Sequence, residues 1–305
     1  MQNSERQGKL VEKIPAKTIV TRAKNTAWFG IEYNMNIYKG CCHGCIYCDS
    51  RSDCYGIEEF DRVRVKDNAL EIIRNDLRRK VKTGVVGTGA MSDPYNPFEK
   101  ELMLTGHALE LLDAYKFGVS IATKSSLILR DIPILQQIQE HSPVLCKVTV
   151  TTCDDELCRK LEPNVCPSSE RFEALNTLTE AGLFTGILMM PVLPFLEDNE
   201  KNILEIVRRA GECGVRFIYP AFGMTLRDNQ RQWYYDKLEQ LFPDQNLKEQ
   251  YIRRYSNVYE CISPRSGRLW KAFAAECERL GILYQMKDIV RAYRQGYGSQ
   301  QLSLF

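Results

Sequence analysis

Several things are missing from this 305-residue chain, and each absence excludes a class of protein. No apolar run reaches the roughly 18 residues of a membrane-spanning helix. The opening stretch, MQNSERQGKLVEKIPAKTIV, is polar and lacks the apolar centre of a secretory signal. Neither sign of charge is in excess: 41 Lys and Arg against 39 Asp and Glu leave +2, so no global field marks a nucleic-acid binder. His43 and His107 stand alone without metal-ligand spacing, and no chemistry is assigned to them. Low-complexity tracts are absent, as is any repeat longer than one strand–helix unit.

What remains is a globular composition, 44% hydrophobic and 26% charged, with ample material for a core. Twelve cysteines without a secretory leader read as reduced thiols of a cytoplasmic protein, open to metal, rather than as a disulfide framework. Residues 226 to 305 carry 13 Lys and Arg against 9 Asp and Glu, a mild basic excess.

Short β-branched runs recur with helical patterns between them. Strands are expected at Glu32–Tyr38, Gly84–Ala90, Gly118–Thr123, Leu145–Thr151, Thr185–Val192 and Val215–Ala221. The stretches EEFDRVRVKDNALEIIRNDLRRKV and PSSERFEALNTLTEAG carry helix-spaced apolar residues, and Asp198 is a candidate N-cap for the helix in NEKNILEIVRRAGECG. Strands alternating with helices demand right-handed crossovers and a parallel sheet. The expectation is α/β: a partial (β/α)6 barrel over residues 29–225, an N-terminal arm at 1–28, and a helical extension at 226–300. Chemistry in such barrels sits at the carboxyl ends of the strands.

One stretch stands there. YKGCCHGCIYCDS sets Cys41, Cys45 and Cys48 in C-x3-C-x2-C spacing behind a strand, with Gly40 and Gly44 to let the backbone turn tightly. Three converging thiolates suit a soft metal centre, zinc or iron–sulfur. Structural zinc takes four ligands, usually as two C-x2-C pairs, and no second pair exists. A three-thiolate [4Fe–4S] cluster with one open iron fits the spacing better. The rival is a zinc-stabilised binding module without catalysis.

C-x3-C-x-aromatic-C, with Tyr47 as the aromatic, resembles the signature of radical S-adenosylmethionine (SAM) enzymes. SDPYNPFEKELMLTG, IATKSSLILRD and LEPNVCPSSERFEAL resemble further landmarks of the spore photoproduct lyase-like branch, known as DNA repair photolyases. The likeness covers roughly residues 30–225. It implies a radical SAM barrel whose [4Fe–4S] cluster is held by Cys41, Cys45 and Cys48, with Cys42 a bystander. It also implies reductive cleavage of SAM to a 5′-deoxyadenosyl radical, an electron donor, and lyase-like DNA repair. The alternative is a substrate that is not nucleic acid.

By the same resemblance Ser92 and Asp93 contact SAM; a Ser-Asp-Pro turn ending a strand is the alternative. Spore photoproduct lyases have a hydrogen-donating cysteine beside this pair, where the present chain has Ala90 and Met91. The family reading puts Lys124 on the SAM carboxylate; a surface lysine is the alternative. Thr151, at a strand end, is a candidate for the SAM ribose or a plain strand residue. Glu162 and Arg171 form either an ion pair or polar contacts to SAM. Cys153, Cys158 and Cys166 are spaced too irregularly for a second cluster and read as separate thiols. No catalytic residue is assigned.

WYYDKLEQLF and YIRRYSNVYE interleave aromatic and basic residues, as a base-stacking surface does; a buried aromatic stripe looks the same in sequence. The final five residues, Gln301, Leu302, Ser303, Leu304 and Phe305, follow a Gly/Ser/Gln stretch that reads as linker. They resemble the peptide by which bacterial replication and repair proteins dock on the sliding clamp; the alternative is a segment that folds back on its own chain.

Overall fold

The computed structural model of the protein describes residues 11–297. Six parallel strands form its frame: β1 (Tyr33–Met35), β2 (Val85–Thr88), β3 (Gly118–Thr123), β4 (Val144–Thr149), β5 (Thr185–Met189) and β6 (Phe217–Pro220). They lie side by side in chain order, each joined to the next through a helix. These helices are α1 (Ala69–Arg78), α2 (Leu104–Ala114), α3 (Ile132–Gln139), α4 (Ser168–Glu180) and α5 (Glu200–Glu212). The architecture is the expected (β/α)6 partial barrel.

Alternation along the strands sorts the two faces. Val86, Val119, Ile121, Cys146, Val148 and Ile187 point outward beneath the helices. Leu145, Leu188 and Phe217 point inward and meet Phe29 and Ile31 in the barrel interior. The interior is tight: a Cβ at Gly186 would lie 2.3 Å from the Phe217 ring. Beside these apolar residues lies Lys147, which donates to the Ser120 hydroxyl and lies 4.6 Å from the centre of the Phe29 ring.

Several expectations need correction. The strands are shorter than the apolar runs: β1 stops at Met35, while Tyr38–Lys39 joins a separate three-stranded sheet with Arg64–Lys66 and Glu12–Ile14. Arg64–Lys66 falls within the first stretch of helix-spaced apolar residues, of which only Ala69–Arg78 coils. The N-terminal arm supplies an antiparallel edge strand, Val20–Arg22, on β1, and the Ile19 and Val20 N–H groups donate to Asp76 at 2.7 and 2.9 Å. Asn199 caps α5 in place of Asp198, which accepts from the Phe195 N–H and the Ser263 hydroxyl instead.

The extension contains α6 (Asp228–Leu241), α7 (Leu247–Tyr255), α8 (Ser266–Leu280) and α9 (Met286–Tyr293). It is not purely helical, because strand β8 (Glu260–Ile262) pairs antiparallel with β7 (Gly223–Thr225). Helix α8 lies on α5, sharing Leu269 and Phe273 with the main core. Helix α9 closes the barrel floor, where the Tyr293 hydroxyl donates to the Phe29 carbonyl at 2.7 Å. The aromatics of the two interleaved segments are mostly core: Tyr234, Tyr235, Tyr251 and Tyr255 are buried together against Ile46 and Tyr47. A hydroxyl on each ring lets such tyrosines bury while still bonded, as Tyr234 does to Tyr251 at 3.0 Å. Residues 301–305 lie outside the described residues.

Candidate active site

The cysteine loop leaves Lys39 and turns twice through left-handed glycines, Gly40 (φ +81°) and Gly44 (φ +72°). Gly40 is obligatory on steric grounds as well, since a Cβ there would meet the Arg62 carbonyl oxygen at 2.4 Å. Backbone bonds then stitch the loop to distant segments: Cys41 N–H to Phe60 O (2.8 Å), Ile46 N–H to Leu161 O (3.0 Å) and Asn164 N–H to His43 O (3.1 Å). Cys45 is buried, and Cys41 and Cys48 are partly exposed. The three thiols are electrostatic neighbours: the charges of Cys48 and Cys41 both bear on Cys45, and that of Cys41 bears on Cys48. Cys42 lines a different cavity with Arg62 and Phe98, although the charge of Cys41 bears on it too. Among the described residues no three His, Cys, Asp or Glu side chains gather closely enough for a single metal ion.

Burial pushes the Cys45 and Cys48 thiols up. Cys41 behaves oppositely. Burial would raise it, but the bond and charge of His43 outweigh that and hold it below its ordinary value. His43 in turn lies 3.6 Å from Asp93, and Cys41 and Asp93 together keep it protonated to higher pH despite burial. Sequence spacing gave no reason to single out His43; its position two residues past the first thiol was the only signal.

Asp93 is a hub behind the loop. It accepts from the Tyr95 N–H (2.9 Å), the Thr123 hydroxyl (2.7 Å) and the Lys124 N–H (2.8 Å), fixing the end of β3. Ser92 donates to the Gly40 carbonyl at 2.6 Å, so the end of β2 braces the first turn of the cysteine loop. A second hub is Glu162. It accepts from the Tyr47 hydroxyl, pairs with Arg171 at 2.5 Å and lies 3.9 Å from the Lys124 ammonium. Burial opposes its charge, but Arg171 and Lys124 hold the carboxyl below its ordinary value. Lys124 stays charged against its own burial through Cys45 and Glu162. The Glu162–Arg171 pair is therefore a buried ion pair, one of the two readings left open by the sequence.

Thr151 donates to the Glu197 carboxyl at 2.7 Å. Burial lifts Glu197 to about 8, so this carboxyl is largely protonated at neutral pH. Sequence reasoning passed over Glu197, a lone acid in an apolar loop. Cys153, Cys158 and Cys166 do not converge: Cys158 lies on a short helix beside Glu162, and Cys166 donates to the Lys124 carbonyl at 3.1 Å.

A cavity of about 770 Å³ opens beside Tyr47 and Cys48 at the carboxyl ends of the strands. Ala90, Met190 and Pro191 line its barrel side, and Phe222, Ile262 and Trp270 its far side. Of the cofactor residues expected from the sequence, Tyr47 lines this cavity, whereas Ser92, Asp93, Lys124 and Thr151 stand behind it in the networks just described. The first turn of α6 grips the loop from the other side: Gln230, fully buried, donates to the Tyr47 carbonyl at 3.2 Å, and Asp228 accepts from Ser52 at 2.8 Å.

A partial barrel with clustered thiols at its mouth defines a class of metal-dependent α/β enzymes. Residues 35–219 match the family model of the radical SAM superfamily, so the chain belongs to that superfamily and is a radical SAM enzyme. Its cofactors are a [4Fe–4S] cluster and S-adenosylmethionine. The donor set fits: three neighbouring thiols on a tightly turned loop, with a charged lysine near them and an open cavity alongside. An uncharacterized protein of Mycobacterium tuberculosis is 28% identical over 254 residues, covering 81% of this chain and 73% of its own. An uncharacterized protein of Methanocaldococcus jannaschii is 32% identical over 196 residues, covering 63% and 71%. Among solved structures, a spore photoproduct lyase variant superposes with a TM-score of 0.67 at 14% identity, covering 90% of this chain and 82% of that one. A radical S-adenosylmethionine methyltransferase from Kitasatospora setae gives 0.53 at 10%, covering 81% and 51%. At these identities the likeness is one of fold.

No described helix is long and apolar enough to cross a membrane.

Proposed function

We propose that Cys41, Cys45 and Cys48 ligate the cluster, that SAM lies against Tyr47 in the adjoining cavity, and that the substrate is a nucleic acid. When bound, the two cofactors together supply hydrogen-atom abstraction through a 5′-deoxyadenosyl radical. The protein's part is positional. Gly40 and Gly44 turn the thiols toward one another, and Asp93 and Ser92 hold the strand ends against the loop. Lys124 brings a positive charge toward the thiolates and the SAM carboxylate, and Glu162 keeps that lysine and Tyr47 in register. Thr151 turns its hydroxyl to Glu197 and orders the rim where the ribose would lie.

The observation that carries the reading is the cavity itself. It joins the end of the cysteine loop to an apolar, aromatic wall made of Phe222 with Ile262 and Trp270 of the mildly basic C-terminal extension. A fold likeness to spore photoproduct lyase in complex with dinucleoside spore photoproduct supports it. Ala90 lines the cavity where those lyases have a hydrogen-donating cysteine, and Cys48 is its sole cysteine. That counts against repair of the spore lesion. Family membership favours this enzyme over the zinc-stabilised module. Gln301–Phe305 belongs to the same reading as a sliding-clamp anchor, and an electron donor is required for turnover.

The test is anaerobic reconstitution with SAM and dithionite, followed by 5′-deoxyadenosine formation with and without undamaged and photodamaged oligonucleotides. Acceleration by an oligonucleotide is expected. If none binds at low salt and none accelerates cleavage, the substrate is not nucleic acid.

A further inference from the structure

The far wall of the cavity is unusual for what it exposes. Trp270 is 40% exposed and Ile262 54%, although both are large and apolar. Exposure of this kind at a cavity beside the candidate reaction centre marks a surface awaiting a ligand.

Trp270 is also held in one orientation. Phe222 and Tyr284 meet it edge to face at 6.4 and 5.8 Å, both at 78°, and Phe273 packs at 5.9 Å. An indole fixed on three sides by other rings offers its free surface without losing rotamer freedom on binding.

Charge is distributed with equal clarity. No Lys or Arg lines the cavity; of its two carboxylates, Asp49 is committed to Arg227, Tyr55 and Thr225, and Glu260 makes no ion pair among the described residues. A phosphate has no counter-charge inside, so the group that meets the far wall, opposite the SAM side, is uncharged. Two cations lie on the same helix as the indole, on other faces of it. Lys271 follows Trp270 directly and makes no ion pair among the described residues, and Arg268, two residues before it, has only an exposed pair with Glu200.

We infer that this wall is a stacking platform for one unpaired nucleobase, with Trp270 the ring it lies on, Ile262 its edge contact, and Lys271, on the adjoining face of the helix, within reach of a flanking phosphate. This rests on the nucleic-acid reading above and adds that the base enters out of its stack. Single-stranded substrate then binds better than duplex, because no unpairing cost is met.

The experiment measures binding of a fluorescein-labelled oligothymidine and of a blunt duplex to the reconstituted full chain at low salt, by anisotropy. Stacking is worth about 1–3 kcal/mol per base, so Trp270→Ala should weaken single-strand binding roughly 5- to 150-fold, and Trp270→Phe much less. Unlabelled oligothymidine should also quench tryptophan fluorescence in the wild type and not in Trp270→Phe, a readout that survives if the alanine variant fails to fold. Equal binding by wild type and Trp270→Ala, or an unchanged quench in Trp270→Phe, would overturn the platform and leave the nucleic-acid reading standing. Binding of no nucleic acid by the wild type would overturn that reading, and the platform with it.

Discussion

The Tyr47 hydroxyl donates to the Glu162 carboxylate, 115 residues further along the chain. That bond ties the cysteine loop to an ion pair made by α4, and through Lys124 to the end of β3. Three separate segments thus meet at one buried acid, so the loop's position depends on the strand ends of the barrel being in place.

Replacing Glu162 by Gln should cost about 3–5 kcal/mol in denaturant unfolding, because Arg171, 1% exposed, loses its counter-charge. Tyr47→Phe removes one hydrogen bond and should cost about 1 kcal/mol. The pH dependence has a definite sign. Glu162 is held below its ordinary 4.5, so its contribution is complete above that value and falls away as pH drops through the lower folded value. The difference between wild type and variant should narrow in acid. A Gln variant within about 1 kcal/mol of wild type at pH 7 would mean the hub carries no stability.

Iron content separates the four neighbouring thiols. Reconstituted wild type should hold about four irons, the content of one [4Fe–4S] cluster. Cys41→Ala, Cys45→Ala and Cys48→Ala should each lose most of that iron, the visible absorption of the cluster and 5′-deoxyadenosine formation. Cys42→Ala should keep all three, since Cys42 lines a different cavity. Loss in Cys42→Ala with retention in Cys41→Ala would exchange their roles.

How much of this was legible beforehand depends on range. The barrel was readable because each strand and its helix carry their own period, and the thiols because C-x3-C-x2-C is a local pattern. What the sequence concealed is long-range. Gln230 reaches Tyr47, Asp228 reaches Ser52, and Glu197 reaches Thr151, and no local spacing announces such pairs. Strand β8 was missed for the same reason: Glu260–Ile262 is three residues long and exists only because Gly223–Thr225 lies opposite. The tyrosines of α6 and α7 gave an ambiguous period that packing resolved into core.

The terminal Gln301–Phe305 segment should bind a purified bacterial sliding clamp through Leu304 and Phe305. A titration of clamp against wild type and a Leu304→Ala, Phe305→Ala double variant should show binding at tens of micromolar or tighter for the first alone, roughly −6 kcal/mol. Tethering of that strength would raise the local concentration of DNA around a chain whose net charge is only +2. Equal binding by both would dismiss the tail as the anchor.

Lys147 supplies the last prediction. It is 1% exposed in the barrel interior, bonded to Ser120, with no carboxylate beside it. Burial pulls its ammonium down from 10.5 to about 7, so near neutrality half the folded molecules carry an uncharged amine there. Between these two values the unfolded chain binds the proton and the folded chain releases it. Stability therefore rises with pH across the window from about 7 to 10.5, and below it the full penalty is present. Lys147→Met, similar in length and apolar, removes the penalty while leaving the Ser120 hydroxyl without its donor. At pH 7 the variant should be more stable by on the order of 2–4 kcal/mol, and the gap should shrink toward pH 10. Denaturant unfolding of both proteins across that range checks it. A variant less stable than wild type at pH 7, or a gap that does not change with pH, would show that the lysine keeps its charge within the barrel.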